Sequence, residues 1–269
     1  MFQTKKSLGQ HFLRSDRAIK AIVESAQLVS NDIILEIGPG EGVLTKAILE
    51  TRARLIAIEK DHRLISYLKN KFADHIISGQ LLVIEGDMLD PNTQKLLFEL
   101  PTMRGVYKLV ANIPYYITGQ LFRLFLEQLP QPTLMTVLVQ KEVARQIVAQ
   151  NNKESILSVA VKAYGEPRYV ETVKRGAFMP PPGVDSAILC IEHISKNNFD
   201  GIDEKEFFTI VRSGFHAKRK MLLGNLVREL NVPKEKTEQL FAELGIKAKI
   251  RAEDLPPQQW FQLARKIKM

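Results

Sequence analysis

One cysteine, Cys190, stands in 269 residues, so a disulfide framework and a site built from several thiolates are both excluded. Its neighbours Ile188, Leu189 and Ile191 read as a buried strand, where a thiol behaves as a small, inert hydrophobe. Histidine is nearly as scarce. His11, His62, His75, His193 and His216 show no i, i+4 spacing with a carboxylate, so the usual zinc-ligand pattern is missing and no metal is expected. No G-x-S-x-G occurs, which excludes the strained elbow that presents a hydrolase serine. Apolar runs stop short of the roughly 18 residues that span a bilayer, and the opening residues lead into no apolar signal core. The expectation is a cytoplasmic protein with no membrane partner. Repeats and low-complexity tracts are also missing.

What the chain does have is apolar residues and positive charge. Hydrophobic residues at 45% over this length can fill one large domain and a small one. The formal net charge of +8 is uneven: residues 1–30 hold 5 Lys/Arg against 2 Asp/Glu, and residues 200–269 hold 14 against 10. Basic ends around a nearly neutral centre suit a polyanion contacted by both termini, although a solvated lysine surface gives the same totals.

Strands and helices alternate along most of the chain. Lys6-Ser7-Leu8-Gly9-Gln10-His11-Phe12-Leu13 is aperiodic and reads either as a loop folded over something or as a packed arm. A helix follows over about 16–26, with Ser15 or Asp16 as its cap. Residues 33–37 form a strand by their β-branched content, and Gly38-Pro39-Gly40-Glu41-Gly42 turns it into a helix near Val43. Such a unit lets backbone approach a nucleotide closely, with a helix N-terminus just behind. The spacing is G-x-G-x-G, and Val43 occupies the place of the last small residue of the dinucleotide fingerprint. That disfavours a pyrophosphate and an NAD-dependent oxidoreductase. Glu36 is placed to meet a cation. Residues 55–59 form the second strand, ending in Glu59, 21 residues after Gly38, where a carboxylate accepts ribose hydroxyls, the alternative being a surface charge in the run Glu59-Lys60-Asp61. The third strand, 81–84, leads to Asp87, which either accepts an adenine amino proton with Met88 packed on the ring, or caps the next helix.

The fourth strand is the centre of the chain: Leu109-Val110-Ala111-Asn112-Ile113-Pro114-Tyr115-Tyr116 joins an apolar run to an amide, a proline and two aromatics. Asn112 offers a carbonyl, Pro114 fixes the carbonyls beside it, and Tyr115 or Tyr116 offers a flat face. Two acceptors on the N–H bonds of a ring amine favour a pyramidal nitrogen with a localised lone pair. A turn that merely packs is the alternative. A helix over 121–129, a strand over 134–139, helices over 141–149 and 155–164, and closing strands at 169–173 and 187–191 follow. Between the closing strands, Phe178-Met179-Pro180-Pro181-Pro182-Gly183-Val184-Asp185-Ser186 is stiffened by three prolines, so Phe178 either closes over a flipped base or plugs the core. The polar stretch 195–201 separates a domain over 1–198 from one over 199–269. The second is helical throughout (203–216, 221–230, 234–244, 257–267), and Lys218-Arg219-Lys220 falls at a helix break beside Asn225, as a phosphate clamp or a solvated face.

Four motifs in order, Ser7 to Leu13, Glu36 to Gly42, Asn112 to Tyr115 and Phe178 to Ser186, resemble the ribosomal RNA adenine N6-dimethyltransferases (the KsgA/RsmA family) over essentially the whole length. The resemblance implies a class I, Rossmann-like S-adenosylmethionine methyltransferase of α/β class. It has a seven-stranded mixed sheet, its last strand pair antiparallel, and a small all-helical C-terminal domain that binds RNA through Lys218, Arg219 and Lys220. It implies cofactor contacts at His11, Leu13, Gly38, Glu59, Asp87 and Asn112, with Glu36, Gly40, Gly42 and Met88 lining the same pocket. The target-adenine site is then Asn112, Pro114, Tyr115 and Phe178. The implied reaction dimethylates N6 of two adjacent adenosines near the 3′ end of 16S ribosomal RNA. It is carried out by a monomer on a pre-30S particle and linked to small-subunit maturation. Two departures, Gly119-Gln120 for Thr-Pro and Lys218-Arg219 for two arginines, bear on substrate grip. The Erm class, which modifies a large-subunit adenine, and a non-catalytic ribosome-assembly or transcription factor on the same fold are the competing readings.

Overall fold

A computed structural model of the chain describes residues 9–267; Lys6, Ser7 and Leu8 of the first motif lie outside the described residues. Contacts divide the chain into two compact units, Met1–Ala144 with Pro167–Ile194, and Arg145–Glu166 with Ser195–Met269. Residues 145–166, which the sequence places in the first domain, thus group with the C-terminal helices.

The first unit is built on seven strands: β2 (Ile33–Ile37), β3 (Arg54–Glu59), β4 (Leu81–Glu85), β5 (Lys108–Asn112), β6 (Leu134–Gln140), β7 (Glu166–Val173) and β9 (Ser186–Glu192). They lie in the order β4-β3-β2-β5-β6-β9-β7. β2 runs parallel to β3 and β5, with Glu36 opposite Ala57 and Val110, and β9 runs antiparallel to β6. Both faces of the central strands are covered; Leu35, Leu109 and Val137 are fully buried, which is why these strands read as unbroken apolar runs. Cys190 sits inside β9 with no exposure. From β2 the chain proceeds outward through β3 and β4, then returns to the other side of β2 as β5. That reversal opens a crevice at the carboxyl ends of β2 and β5.

The helices of this unit start where their caps put them. Ser15 accepts from Ala18 N at 3.3 Å to start α1 (Asp16–Ser25), Gly42 precedes α2 (Val43–Glu50), and Asp61 caps α3 (His62–Lys71). A short helix α4 (Ala73–Ile77) follows, and Asp90 caps α5 (Pro91–Glu99). The helix expected from 121 begins three residues earlier as α6 (Thr118–Arg123) and ends in a π-helical turn, Leu124–Gln128. Two elements are not legible in the sequence at all: β1 (Phe12–Leu13) and β8 (Phe178–Met179) form a separate antiparallel pair, Phe12 opposite Met179 and Leu13 opposite Phe178. α7 (Lys141–Val148) begins in this unit, and its residues from Arg145 on are grouped with the second.

In the second unit α8 (Ile156–Tyr164) starts with a Ser155/Ser158 capping box. The helices α9 (Glu204–Gly214), α10 (Leu222–Leu230), α11 (Lys234–Glu243) and α12 (Pro257–Lys266) complete it. Its core is aromatic: Phe199 meets Tyr164, Phe207 and Phe261 at centroid distances of 5.0, 5.3 and 5.4 Å. Tyr164 therefore ties α8 to this cluster, which explains why 145–166 belongs here. Among the described residues no helix is long and apolar enough to cross a membrane.

Candidate active site

A cleft enclosing about 1110 Å³, counting its open mouth, lies at the carboxyl ends of β2, β3 and β5. From the expected set it is lined by His11, Leu13, Glu36, Gly38, Gly40, Glu59, Asn112, Pro114 and Tyr115, so three motifs distant in sequence share one cavity. The glycine turn needs its glycines: Gly38, Gly40 and Gly42 have φ of +69°, +59° and +72°, where a side chain is strained. Gly40 also lets the Phe12 ring come close, because a Cβ there would stand 3.0 Å from it.

The walls carry carboxyl groups. Glu36 is 1% exposed and its Oε2 accepts from Thr45 Oγ1 at 2.7 Å. Burial pushes its pKa up to about 8 against the opposing Thr45 bond, and Glu59 adds to the rise. Glu59 accepts from Gly40 N at 3.1 Å on Oε2 and from Asp61 N at 2.8 Å on Oε1. Burial raises its pKa too, opposed by these N–H groups. Among the described residues neither pairs with a cation, so a ligand that brings positive charge and hydroxyl donors favours their ionised forms, and neither group offers a positive charge to a pyrophosphate.

The N-terminal segment closes one side through specific bonds. Asn112 Nδ2 donates to His11 O at 3.0 Å, His11 Nδ1 donates to Pro180 O at 2.8 Å, and Gln10 Nε2 donates to Asp61 Oδ2 at 3.0 Å. Arg14 pairs with Glu41 and its N–H donates to Ala177 O at 2.7 Å. The first and fourth motifs are therefore one structural piece. Tyr115 is held by a 2.6 Å bond between its hydroxyl and Ser186 Oγ, and its ring stacks on His11 at 6.1 Å and 24°.

Four expected residues stand off the cleft wall. Gly42 is a packing glycine at the head of α2, where a Cβ would approach Phe72 to 2.5 Å. Asp87 is engaged by Lys60 at 2.7 Å and by Leu89 N at 3.0 Å, and Met88 is buried at 3% exposure; their neighbour Gly86 does line the cleft. Phe178 is 4% exposed, packed in the core behind Leu13. Sequence reasoning misses Thr45, one helical turn past the glycines, and Lys60, hidden in the charged run after Glu59.

In the second unit Lys218, Arg219 and Lys220 are exposed on the turn between α9 and α10. Asn225 shapes that turn by donating to Gly214 O at 2.7 Å and Ala217 O at 3.2 Å. A bond of 2.9 Å from Leu222 N to Ile250 O brings a second exposed cationic turn alongside, with Lys247, Lys249 and Arg251, which nothing in the local sequence singles out.

The sequence profile of the family described as Ribosomal RNA adenine dimethylase matches residues 1–268. A curated relative from Dehalococcoides mccartyi, Ribosomal RNA small subunit methyltransferase A, is 39% identical over 262 residues, 97% of this chain and 87% of the relative. Among solved structures, a dimethyladenosine transferase from Plasmodium falciparum aligns with a TM-score of 0.78 at 27% identity, covering 94% of this chain and 96% of that one. The 23S rRNA methyltransferase ErmE aligns at 0.73, also at 27% identity, covering 94% and 97%.

Proposed function

Because the chain belongs to the ribosomal RNA adenine dimethylase family, we propose that its cleft holds S-adenosylmethionine against an adenine and that Asn112, Pro114 and Tyr115 act on the ring amine. The protein is an S-adenosylmethionine-dependent adenine dimethyltransferase of small-subunit ribosomal RNA. The cofactor supplies an electrophilic methyl group on a sulfonium. Glu59 holds the ribose hydroxyls, the positive charge of the bound cofactor favours the ionised form of the buried Glu36 beneath the glycine turn at Gly38 and Gly40, and His11, Leu13 and Asn112 cover the cofactor from the N-terminal side. Gly86 carries Asp87 and Met88 next to the wall, and the adenine end of the cofactor is assigned to them, with Asp87 exchanging Lys60 for the amine.

Adenine N6 is a weak nucleophile because its lone pair is delocalised into the ring. The Asn112 side-chain carbonyl and the backbone carbonyl beside Pro114 accept its N–H bonds, which favours the pyramidal nitrogen of the transition state, while Tyr115 holds the ring flat. Alignment of the reacting atoms contributes most of the acceleration, so no strong base is needed. The reading is carried by one observation: acidic strand ends and the Asn112–Pro114–Tyr115 turn face the same cavity. We assign the target as two adjacent adenosines near the 3′ end of the RNA in a pre-30S particle, met in the cytoplasm by a monomer. Residues 1–198 carry the transfer, and residues 199–269 hold RNA through Lys218, Arg219 and Lys220.

The test is transfer of labelled methyl from S-adenosylmethionine to small subunits isolated from a strain that lacks the modification. Label on the 3′ end of their RNA is expected; label on large-subunit RNA instead would overturn the assignment. Asn112→Ala is expected to abolish turnover while most cofactor affinity remains, and wild-type rates in that variant would remove Asn112 from the chemistry.

A further inference from the structure

The two tyrosines of the central turn stand in opposite situations. Tyr115 is tied by Ser186 and stacked on His11, whereas Tyr116 leaves 61% of its surface exposed while lining the same cleft. An uncovered ring of this size on a short tight turn, Tyr115–Ile117, is not explained by packing. Yet it is not loose. Its edge rests on Gly9: a Cβ there would stand 3.3 Å from Tyr116 Cε1, 3.4 Å from Cδ1 and 3.8 Å from Pro114 Cβ. Gly9 itself has φ +58°, so backbone rather than side chain backs the ring, and the residue that permits this is a glycine.

A preorganised aromatic with a free face, at the mouth of a cleft whose wall also carries Lys60, a cation held by Asp87 at 2.7 Å and released when Asp87 takes the cofactor amine, matches the parts that hold single-stranded nucleic acid: a ring for the base and a positive charge for the backbone. We propose that Tyr116 is the platform on which the nucleobase adjacent to the target adenine stacks, a positioning residue that sets which nucleotide enters the cleft. This rests on the reading of the cleft as the RNA site. The ring inside, Tyr115, serves the target; the ring outside, Tyr116, serves its neighbour, which for two adjacent adenosines is the other substrate base.

The experiment measures KM for small subunits, kcat and cofactor affinity in Tyr116→Phe, Tyr116→Leu and Tyr116→Ala of the full chain. Phe keeps the π face and is expected to match wild type. Leu and Ala are expected to raise KM about tenfold or more with kcat at saturation and cofactor affinity retained. In a short RNA with 2-aminopurine in place of the flanking base, wild type and Phe are expected to change the fluorescence on binding, and Leu is not. Unchanged KM in Ala, or Leu behaving as Phe does, would overturn the platform. Failure of the unaltered protein to label small subunits would overturn the reading of the cleft instead, so the two failures are distinct.

Discussion

Glu36 shows how a single carboxyl can be both legible and incomplete in the sequence. Its place at a strand end before the glycine turn is readable, because a polar residue closing an apolar run emerges at the edge where α/β sites lie. The Thr45 hydroxyl that satisfies it is not, since that bond depends on how the next helix leaves the turn. The environment has a measurable consequence. Burial lifts the folded-state pKa of Glu36 from 4.5 to about 8, so between those values the folded protein binds a proton that the unfolded chain has released. This contribution is fully present below about pH 4.5 and is lost as pH rises through about 8. The urea midpoint is expected to fall between pH 5 and pH 8, and in Glu36→Gln, which cannot ionise, the decline is expected to be shallower. An identical slope in the variant would show that Glu36 titrates normally. Phe178 is the opposite case: its residue type suits both a base clamp and a core plug, and its burial beside Leu13 depends on a strand partner some 165 residues away that no local pattern marks.

Elements with a period are legible; elements defined by a distant partner are not. The seven strands announce themselves as β-branched or apolar runs, and the C-terminal helices as amphipathic stretches between glycine and proline, with ends within a few residues of the observed ones. The pair β1–β8 has two residues per strand and joins segments some 165 residues apart, so no local pattern marks it. The glycine turn separates two uses of the same residue. Gly38 and Gly42 both have positive φ, yet a Cβ on Gly38 meets nothing nearer than Asn112 O at 4.0 Å, while one on Gly42 stands 2.5 Å from Phe72 and 2.9 Å from Leu68. Gly38→Ala is therefore expected to cost only the left-handed backbone, about 1 kcal/mol. Gly42→Ala adds overpacking and is expected to lose about 3 kcal/mol in all. Urea unfolding of the two variants checks the order; equal losses would mean that Phe72 moves aside freely.

At the scale of the whole chain, the charge asymmetry of the sequence points to a polyanion without saying where it is gripped. The structure adds two cationic turns drawn together by the Leu222–Ile250 bond, a juxtaposition invisible in sequence because one backbone N–H and one carbonyl make it. Lys218, Arg219, Lys220, Lys247, Lys249 and Arg251 are all exposed and take part in no ion pair among the described residues. Holding six unneutralised cations this close is unfavourable in the free protein, and each phosphate they meet releases condensed counterions. Changing Lys218, Arg219 and Lys220 to Ala is expected to weaken binding to small-subunit RNA and to flatten its dependence on salt, by roughly 0.7 to 0.9 in the log–log slope for each phosphate that is no longer neutralised. If the two turns act as one surface, Lys247, Lys249 and Arg251 changed to Ala flatten the slope as well, and the six changes together flatten it further than either set. A slope unmoved by the second set would confine the grip to the first turn, and a slope unmoved by either would return both to ordinary solvated surface.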